Sequence, residues 1–257
     1  MPAKDSCLEL AFRMGTILLE NGAEITRVQE TMERVAAAYK ADEFNVYVLS
    51  NAIFANGVEA GVNRRTEIKF VKSASIHFGR ISAVNQLSRE ISAGKVSVSE
   101  AWERLEEINR IPFTRSAMMV LATAASAAAF CFIYGGSLWD SLAALICGFV
   151  LQIFLSRSEK FLHSKFMLNI IASALVALIA LALHGIGLGE HSDKIIAGSI
   201  IRLVPGVALT TAIRDFLSSD YLSGTIHMID AALIGGSIAI GVGVIVKLSS
   251  LIPGLML

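Results

Sequence analysis

The chain has 257 residues, 54% of them hydrophobic and 17% charged, and its 22 basic and 22 acidic side chains cancel. So much apolar material excludes a disordered chain, and a net charge of zero supplies no basic field for holding nucleic acid. The average conceals two halves: residues 1–115 carry 15 Lys/Arg and 15 Asp/Glu, which leaves 7 of each sign for residues 116–257, a membrane composition.

Lys4, Asp5, Glu9 and Arg13 interrupt any apolar run at the start, so no removable signal peptide is expected and the first segment reads as structure. Cys7–Glu20 reads as a helix closed by Asn21-Gly22, and Ile25, Val28, Met32, Val35 and Tyr39 recur at helical steps as a second amphipathic helix. Phe44–Leu49 and Ile53–Ala55 are short strand candidates. Thr66–Val71 alternates, with Ile68 and Phe70 expected inward and Glu67 and Lys69 outward. Ile81–Ile91 looks helical, and Ser97 with Glu100 forms a capping box for a last helix through Ala101, Leu105 and Ile108, ended by Pro112. Residues 1–112 are thus expected to form one small cytoplasmic α+β domain.

From residue 113 onward the pattern changes from periodic to continuous, and a bilayer needs about 20 apolar residues per crossing. Five segments qualify: Ser116–Tyr134, Leu138–Ser156, Met167–Leu188, Ile195–Ile213 and Met228–Val246. Residues 113–257 are therefore expected to be a polytopic, all-α, five-helix transmembrane domain embedded in the lipid bilayer. Small residues at helix-contact spacing, Ala122 with Ser126 and Ser237 with Gly241, suit close packing of such spans. Orientation follows the bases in short loops. Arg110 and Arg115 precede the first span, and the loop Arg157–Lys165 sets Arg157, Lys160 and Lys165 against Glu159, so both belong in the cytoplasm. The loops Gly135–Ser137, without a base, and Gly189–Lys194, with acids in excess, belong outside. A multi-pass protein of the cytoplasmic (inner) membrane results, its N-terminus cytoplasmic and its C-terminus outside.

Arg202-Leu203-Val204-Pro205-Gly206 places a cation and a helix breaker inside the fourth apolar run. A straight helix would carry Arg202 about 10 Å in, where an arginine costs about 2.5 to 3.5 kcal/mol on insertion scales. Pro205 cannot donate to the carbonyl of Ile201 and Gly206 tolerates unusual dihedrals, so the helix is expected to bend or unwind here. Two readings stand side by side: a proline kink with Arg202 reaching the headgroups, or Arg202 as counter-charge to an anionic substrate beside freed backbone groups. Thr210, Thr211 and Arg214 follow as lining for an inner mouth, although Arg214 and Asp215 also suit a headgroup anchor. Asp230, Asp140 and Asp215 are the acids for a proton relay, with interfacial solvation as the competing account of each. His227 and Asp230 share a helical spacing without making a metal site, and His184 reads as a packing residue. His77 and His191-Ser192-Asp193 are weak hydrolase signals. Cys7, Cys131 and Cys147 show no CxxC spacing and no nucleotide glycine fingerprint occurs, so neither metal nor cofactor is expected and no catalytic residue is assigned.

Two stretches carry a resemblance. Leu18-Leu19-Glu20-Asn21-Gly22-Ala23-Glu24-Ile25-Thr26-Arg27-Val28 resembles the opening motif of the threonine/serine exporter (ThrE) family. Val204-Pro205-Gly206, then Thr211-Ala212-Ile213-Arg214-Asp215 and Asp220-Tyr221-Leu222-Ser223-Gly224, resembles that family's fourth-span motif. The chain stops at Leu257, without the second block of spans found in fused members. It thus resembles the larger, YjjP-like subunit of the split form, which works with a small YjjB-like membrane subunit. The resemblance implies gradient-driven export of a small carboxylate or amino acid: threonine and serine for fused relatives, succinate-type dicarboxylates for the split pair. A homo-oligomer stays open. The other function classes are a membrane-anchored enzyme and a regulatory subunit acting through residues 1–115, for which no acid-base constellation is visible.

Overall fold

The structure, a computed structural model, describes residues 6–41, 43–59, 62–71, 76–114, 116–158 and 164–251. Lys4, Asp5, Arg115 and the loop residues 159–163, used above for the start of the chain and its orientation, lie outside these. The chain divides into two compact units, Met1–Phe113 and Thr114–Leu257.

In the first unit, α1 (Cys7–Glu20) and α2 (Ile25–Ala38) precede a three-stranded antiparallel sheet, β1 (Glu43–Leu49), β2 (Ala52–Glu59) and β3 (Val62–Phe70), in that spatial order. Helices α3 (Phe78–Ser92) and α4 (Val98–Asn109) complete it. Helix α1 is apolar around most of its circumference and is accordingly the central element, with Leu10, Met14, Ile17 and Leu18 fully buried against Val28, Met32 and Val35 of α2. Each such aliphatic side chain removed from water contributes about 1.5 to 3 kcal/mol. The stop at Asn21-Gly22 forms as expected. Gly22 takes φ +75°, the Ala23 amide reaches back to the Leu18 carbonyl, and the buried Asn21 side chain donates to the Ile17 carbonyl at 2.7 Å. Ser97 Oγ accepts the Glu100 amide at the start of α4.

Strand β3 reverses its expected alternation. The register pairs Ile53 with Lys69 and Ala55 with Glu67, so these charged residues share the face that Ile53 and Ala55 turn to the helices. Ile68 and Phe70 fall on the opposite face, 55% and 68% exposed, beside Phe54 and Tyr47. β3 is an edge strand, and its own polarity is outvoted by the pairing that the buried positions of β2 dictate.

The regular elements of the second unit's described residues are all helices: α5 (Ser116–Ile133), α6 (Leu138–Ser158), α7 (Lys165–Gly185), α8 (Ser192–Ser199), a 3₁₀ turn (Ile200–Arg202), α9 (Gly206–Leu217) and α10 (Tyr221–Ser249). Helices α5, α6, α7 and α10 are each long and apolar enough to cross a bilayer, and the α8–α9 pair makes a fifth crossing if counted as one broken span. Two expectations change in this unit. Residues 214–227 are not a connecting loop: α9 runs to Leu217 and α10 begins at Tyr221, with the Asp220 side chain capping the Ser223 amide. The small-residue contact on α5 is made by Thr123, Ala124 and Ala127 against Gly148 of α6, whereas Ala122 is exposed. Ser237 and Gly241 behave as expected, buried where α10 crosses α7 at Ser173 and Ile170.

Candidate functional site

The fourth apolar run is broken where the sequence places its breakers. Helix α8 tightens into the 3₁₀ turn, Pro205 stands at φ −80° and ψ 50° as the residue before α9, and the two helical halves meet at a 62° bend. Leu203 and Val204 amides close 3₁₀ bonds to Ile200 and Ile201, and the Gly206 amide folds back on the Val204 carbonyl at 2.9 Å. The start of α9 therefore presents the positively polarised end of a helix at the break, with its Gly206 amide already bonded back to Val204. Arg202 closes the 3₁₀ turn and is exposed. Gly206 and Thr210 on α9 are exposed as well, and a Cβ at Gly206 would touch nothing within 4 Å. Thr210 Oγ1 donates to the Gly206 and Val207 carbonyls, a bond that steadies the first turn of α9. Thr211 is half-buried one residue on.

The two halves are held by different partners. Helix α8 packs on α5, α6 and α7, with Gly198 so close to the Cys131 backbone that a Cβ there would lie 2.6 Å from its nitrogen. Helix α9 packs chiefly on α10, burying only Ala212 and Asp215, while Val207, Ile213 and Leu217 are 61%, 49% and 82% exposed.

Asp140 sits at the start of α8, at the opposite end of that helix from the break. Fully buried, it accepts the backbone amides of Ser137, Glu190 and His191 at 2.8, 2.6 and 2.9 Å and the His191 Nδ1–H at 3.0 Å. One carboxylate thus staples the α5–α6 turn to the entrance of α8, an arrangement that calls for a permanent acceptor. Lys194 adds a bond to the Gly135 carbonyl.

Asp215 is brought into a second pairing, which the sequence hides. It is 6% exposed and accepts the His227 Nδ1–H at 2.8 Å across the α9–α10 turn, with Arg214 3.9 Å away on its other oxygen. His227 therefore pairs with Asp215 and not with Asp230, which is exposed on α10. A residue that drew no attention in the sequence, Gln152, lies buried in α6, accepts from Thr123 of α5 at 3.1 Å and donates to Ser156. An amide inside an otherwise apolar run was the available signal.

The remaining histidines have structural partners. His77 Nδ1 accepts the Arg80 amide at the start of α3 while its Nε2–H donates to the Pro112 carbonyl, and His184 donates to the Gly189 carbonyl. Among the described residues no group of three or more His, Cys, Asp or Glu is placed to hold a metal.

A "Threonine/serine exporter" of Corynebacterium glutamicum is 26% identical over 255 residues, 95% of this chain but 52% of the relative. A "Probable threonine/serine exporter" of Mycobacterium tuberculosis is 23% identical over 91% of this chain and 45% of its own length. The chain spans about half the length of these two. It covers 90% of a shorter relative, the "Probable succinate transporter subunit YjjP" of Klebsiella aerogenes, at 24% identity. No solved structure matches. The ThrE family model, "Putative threonine/serine exporter", matches residues 9–249, from the first turn of α1 to the last of α10, so this multi-pass membrane chain belongs to the ThrE family.

Proposed function

We infer that the chain is one subunit of a secondary transporter that exports small carboxylate metabolites, threonine and serine or succinate-type dicarboxylates, across the cytoplasmic membrane. The observation that carries the reading is the exposed guanidinium of Arg202 at the end of a 3₁₀ turn, next to the open N-terminus of α9. A carboxylate leaving water needs a fixed cation and backbone donors, and a half-helix N-terminus beside an arginine supplies both. Pro205 and Gly206 hold the break open, Thr210 and Thr211 supply hydroxyls along the next turn, and Arg214 offers a second cation toward the far end of α9. The relatives' names point to a transporter rather than an enzyme.

The site is half a site in one chain. The exposed side of α9 is apolar around Arg202, Gly206 and Thr210, and we assign its cover to a small second membrane subunit of the YjjB kind, in keeping with a relative named as a subunit and others about twice as long. The Asp215–His227 pair is the preferred seat of proton coupling, because its hydrogen bond links the end of α9 to the start of α10 and changes with protonation. Asp230 is the second choice, and Asp140, fully engaged by four donors, is the third. The bases in the short loops support an orientation with the N-terminus in the cytoplasm and the C-terminus outside.

Inverted vesicles carrying this chain and its partner should accumulate labelled threonine, serine or succinate above empty vesicles, and equal uptake would overturn the reading. Arg202→Ala should insert normally and lose at least about tenfold in transport, the cost of one charge-assisted contact, and undiminished flux would remove Arg202 from the site.

A further inference from the structure

At the corner where the chain leaves the first unit, the exit segment Ile111-Pro112-Phe113 is tied to the start of α3. The Arg80 guanidinium donates to the Ile111 carbonyl at 2.8 and 3.1 Å, and the His77 Nε2–H donates to the Pro112 carbonyl at 3.1 Å. The Phe113 ring packs on both anchors, 4.8 Å from the imidazole and 5.3 Å from the guanidinium carbon. The start of α3 is in turn seated on the end of α1. The His77 amide donates to the Asn21 carbonyl at 3.1 Å, and Ile76 lies so close to Gly22 that a Cβ there would stand 3.1 Å from it. Asn21-Gly22, in the first of the two stretches that carry the family resemblance, thus seats this corner as well as stopping a helix. The anchor His77 is buried, yet the apolar side chains on and beside it are not: Phe78 is 75% exposed, Phe113 53% and Ile76 48%. Large apolar side chains gathered and left uncovered mark a contact surface.

Chain length points to what covers it. Helix α5 has 18 residues, about 27 Å of helix against about 30 Å of hydrocarbon, so a crossing uses its whole length and leaves Ser116 at the boundary. Phe113 precedes Ser116 by three residues, at most about 11 Å of fully extended chain. The headgroup layer beyond the hydrocarbon is itself about 5 to 8 Å deep. Phe113 is therefore confined to the neighbourhood of the headgroups, and its fixed partners bring Phe78 and Ile76 with it. We propose that this corner is a membrane-surface site: Ile76, Phe78 and Phe113 insert among the headgroups of the leaflet that α5 enters, and the exposed Arg110, three residues before Phe113, meets lipid phosphates. Aromatic rings and long basic side chains are the residue types this layer favours. The site rests on α5 being a span and not on what the protein carries.

Spin labels on single added cysteines test it in the full-length protein, in vesicles of phosphatidylcholine and phosphatidylglycerol. Phe78, three-quarters exposed, can be replaced without opening the core, so Phe78→Cys carries the reporter. Ser92→Cys, at the other end of the 15-residue α3 and about 21 Å away, is the aqueous reference. Protein without an added cysteine gives the background from Cys7, Cys131 and Cys147. The ratio of collisions with dissolved oxygen, which concentrates in lipid, to collisions with an aqueous nickel chelate should be several-fold higher at position 78 than at position 92. Brominated lipids should quench a fluorophore at position 78 and leave one at position 92 unchanged. Equal nickel access at the two positions would put the corner in water and overturn the proposal. A label at position 78 shielded from both oxygen and nickel, with a fluorophore there untouched by brominated lipid, would mean that protein covers the corner and would overturn it as well.

Discussion

Asp140 and Asp215 show how two carboxylates in one apolar domain come to different work. Asp140 answers three backbone amides and a histidine, so its removal strands several buried donors at once. Asp140→Ala should lower the unfolding midpoint of the detergent-solubilised protein, at about 1 to 3 kcal/mol for each buried donor left unsatisfied. Asp215 has one strong partner, His227, and a distant Arg214. His227→Ala should therefore cost little stability and flatten the pH profile of transport, which vesicle flux across a pH series would read. A flux profile identical to the unchanged protein's would take the pair out of coupling. The sequence made both acids visible as charges within apolar runs. It hid their partners, because Asp140 meets residues some fifty positions away and Asp215 meets His227 only once the α9–α10 turn has closed.

Among the elements, those whose pattern and punctuation agree were legible: α1 with its Asn21-Gly22 stop, α2, α4 with its Ser97 cap, and the broken span with Pro205 at the break. β3 was misread because a strand's local alternation competes with its register, and here the neighbouring strand decided which face turned inward. The helix contacts were partly legible, since small residues mark many positions and only packing selects among them. Gly198→Val should destabilise the α8–α5 contact by about 1 to 3 kcal/mol, because the added carbons meet the Cys131 backbone, which cannot yield as a flexible side chain can. A thermal shift in detergent tests this, with Gly206→Ala as the control that touches nothing. Helices α3 and α4 are tied by Glu90 and Arg104, and hydrogen bonds from Gln86 and then Arg104 hold the exposed Glu90 carboxyl below its ordinary value. A lowered carboxyl contributes above its unfolded value and loses that contribution as the pH falls through the folded one, so the tie weakens below about pH 4. Arg104→Ala should blunt this acid dependence by lowering stability slightly at neutral pH while leaving it unchanged at the acid end, as melting curves at a series of pH values would show.

For the whole molecule, the asymmetry across the 62° break matters most. The half carrying Arg202 is built into α5, α6 and α7, and the half carrying Thr210, Thr211 and Arg214 hangs on α10. A joint with unequal supports moves on its weaker side, so amide exchange of the chain alone should be faster in α9 than in α8 and should slow in α9 when a second subunit binds. Composition and run length announced the membrane character of this unit. They were silent on what covers α9, because an apolar side chain reads the same whether it meets lipid or a partner protein. Cys7, Cys131 and Cys147 are all buried and form no disulfide with one another. Membrane-impermeant maleimides should thus find little to modify in the native protein, and a reporter thiol can be placed at position 202 or 210 without first stripping the natural ones. Such labelling, performed from either side of sealed vesicles, would trace which compartment each end of the broken span communicates with.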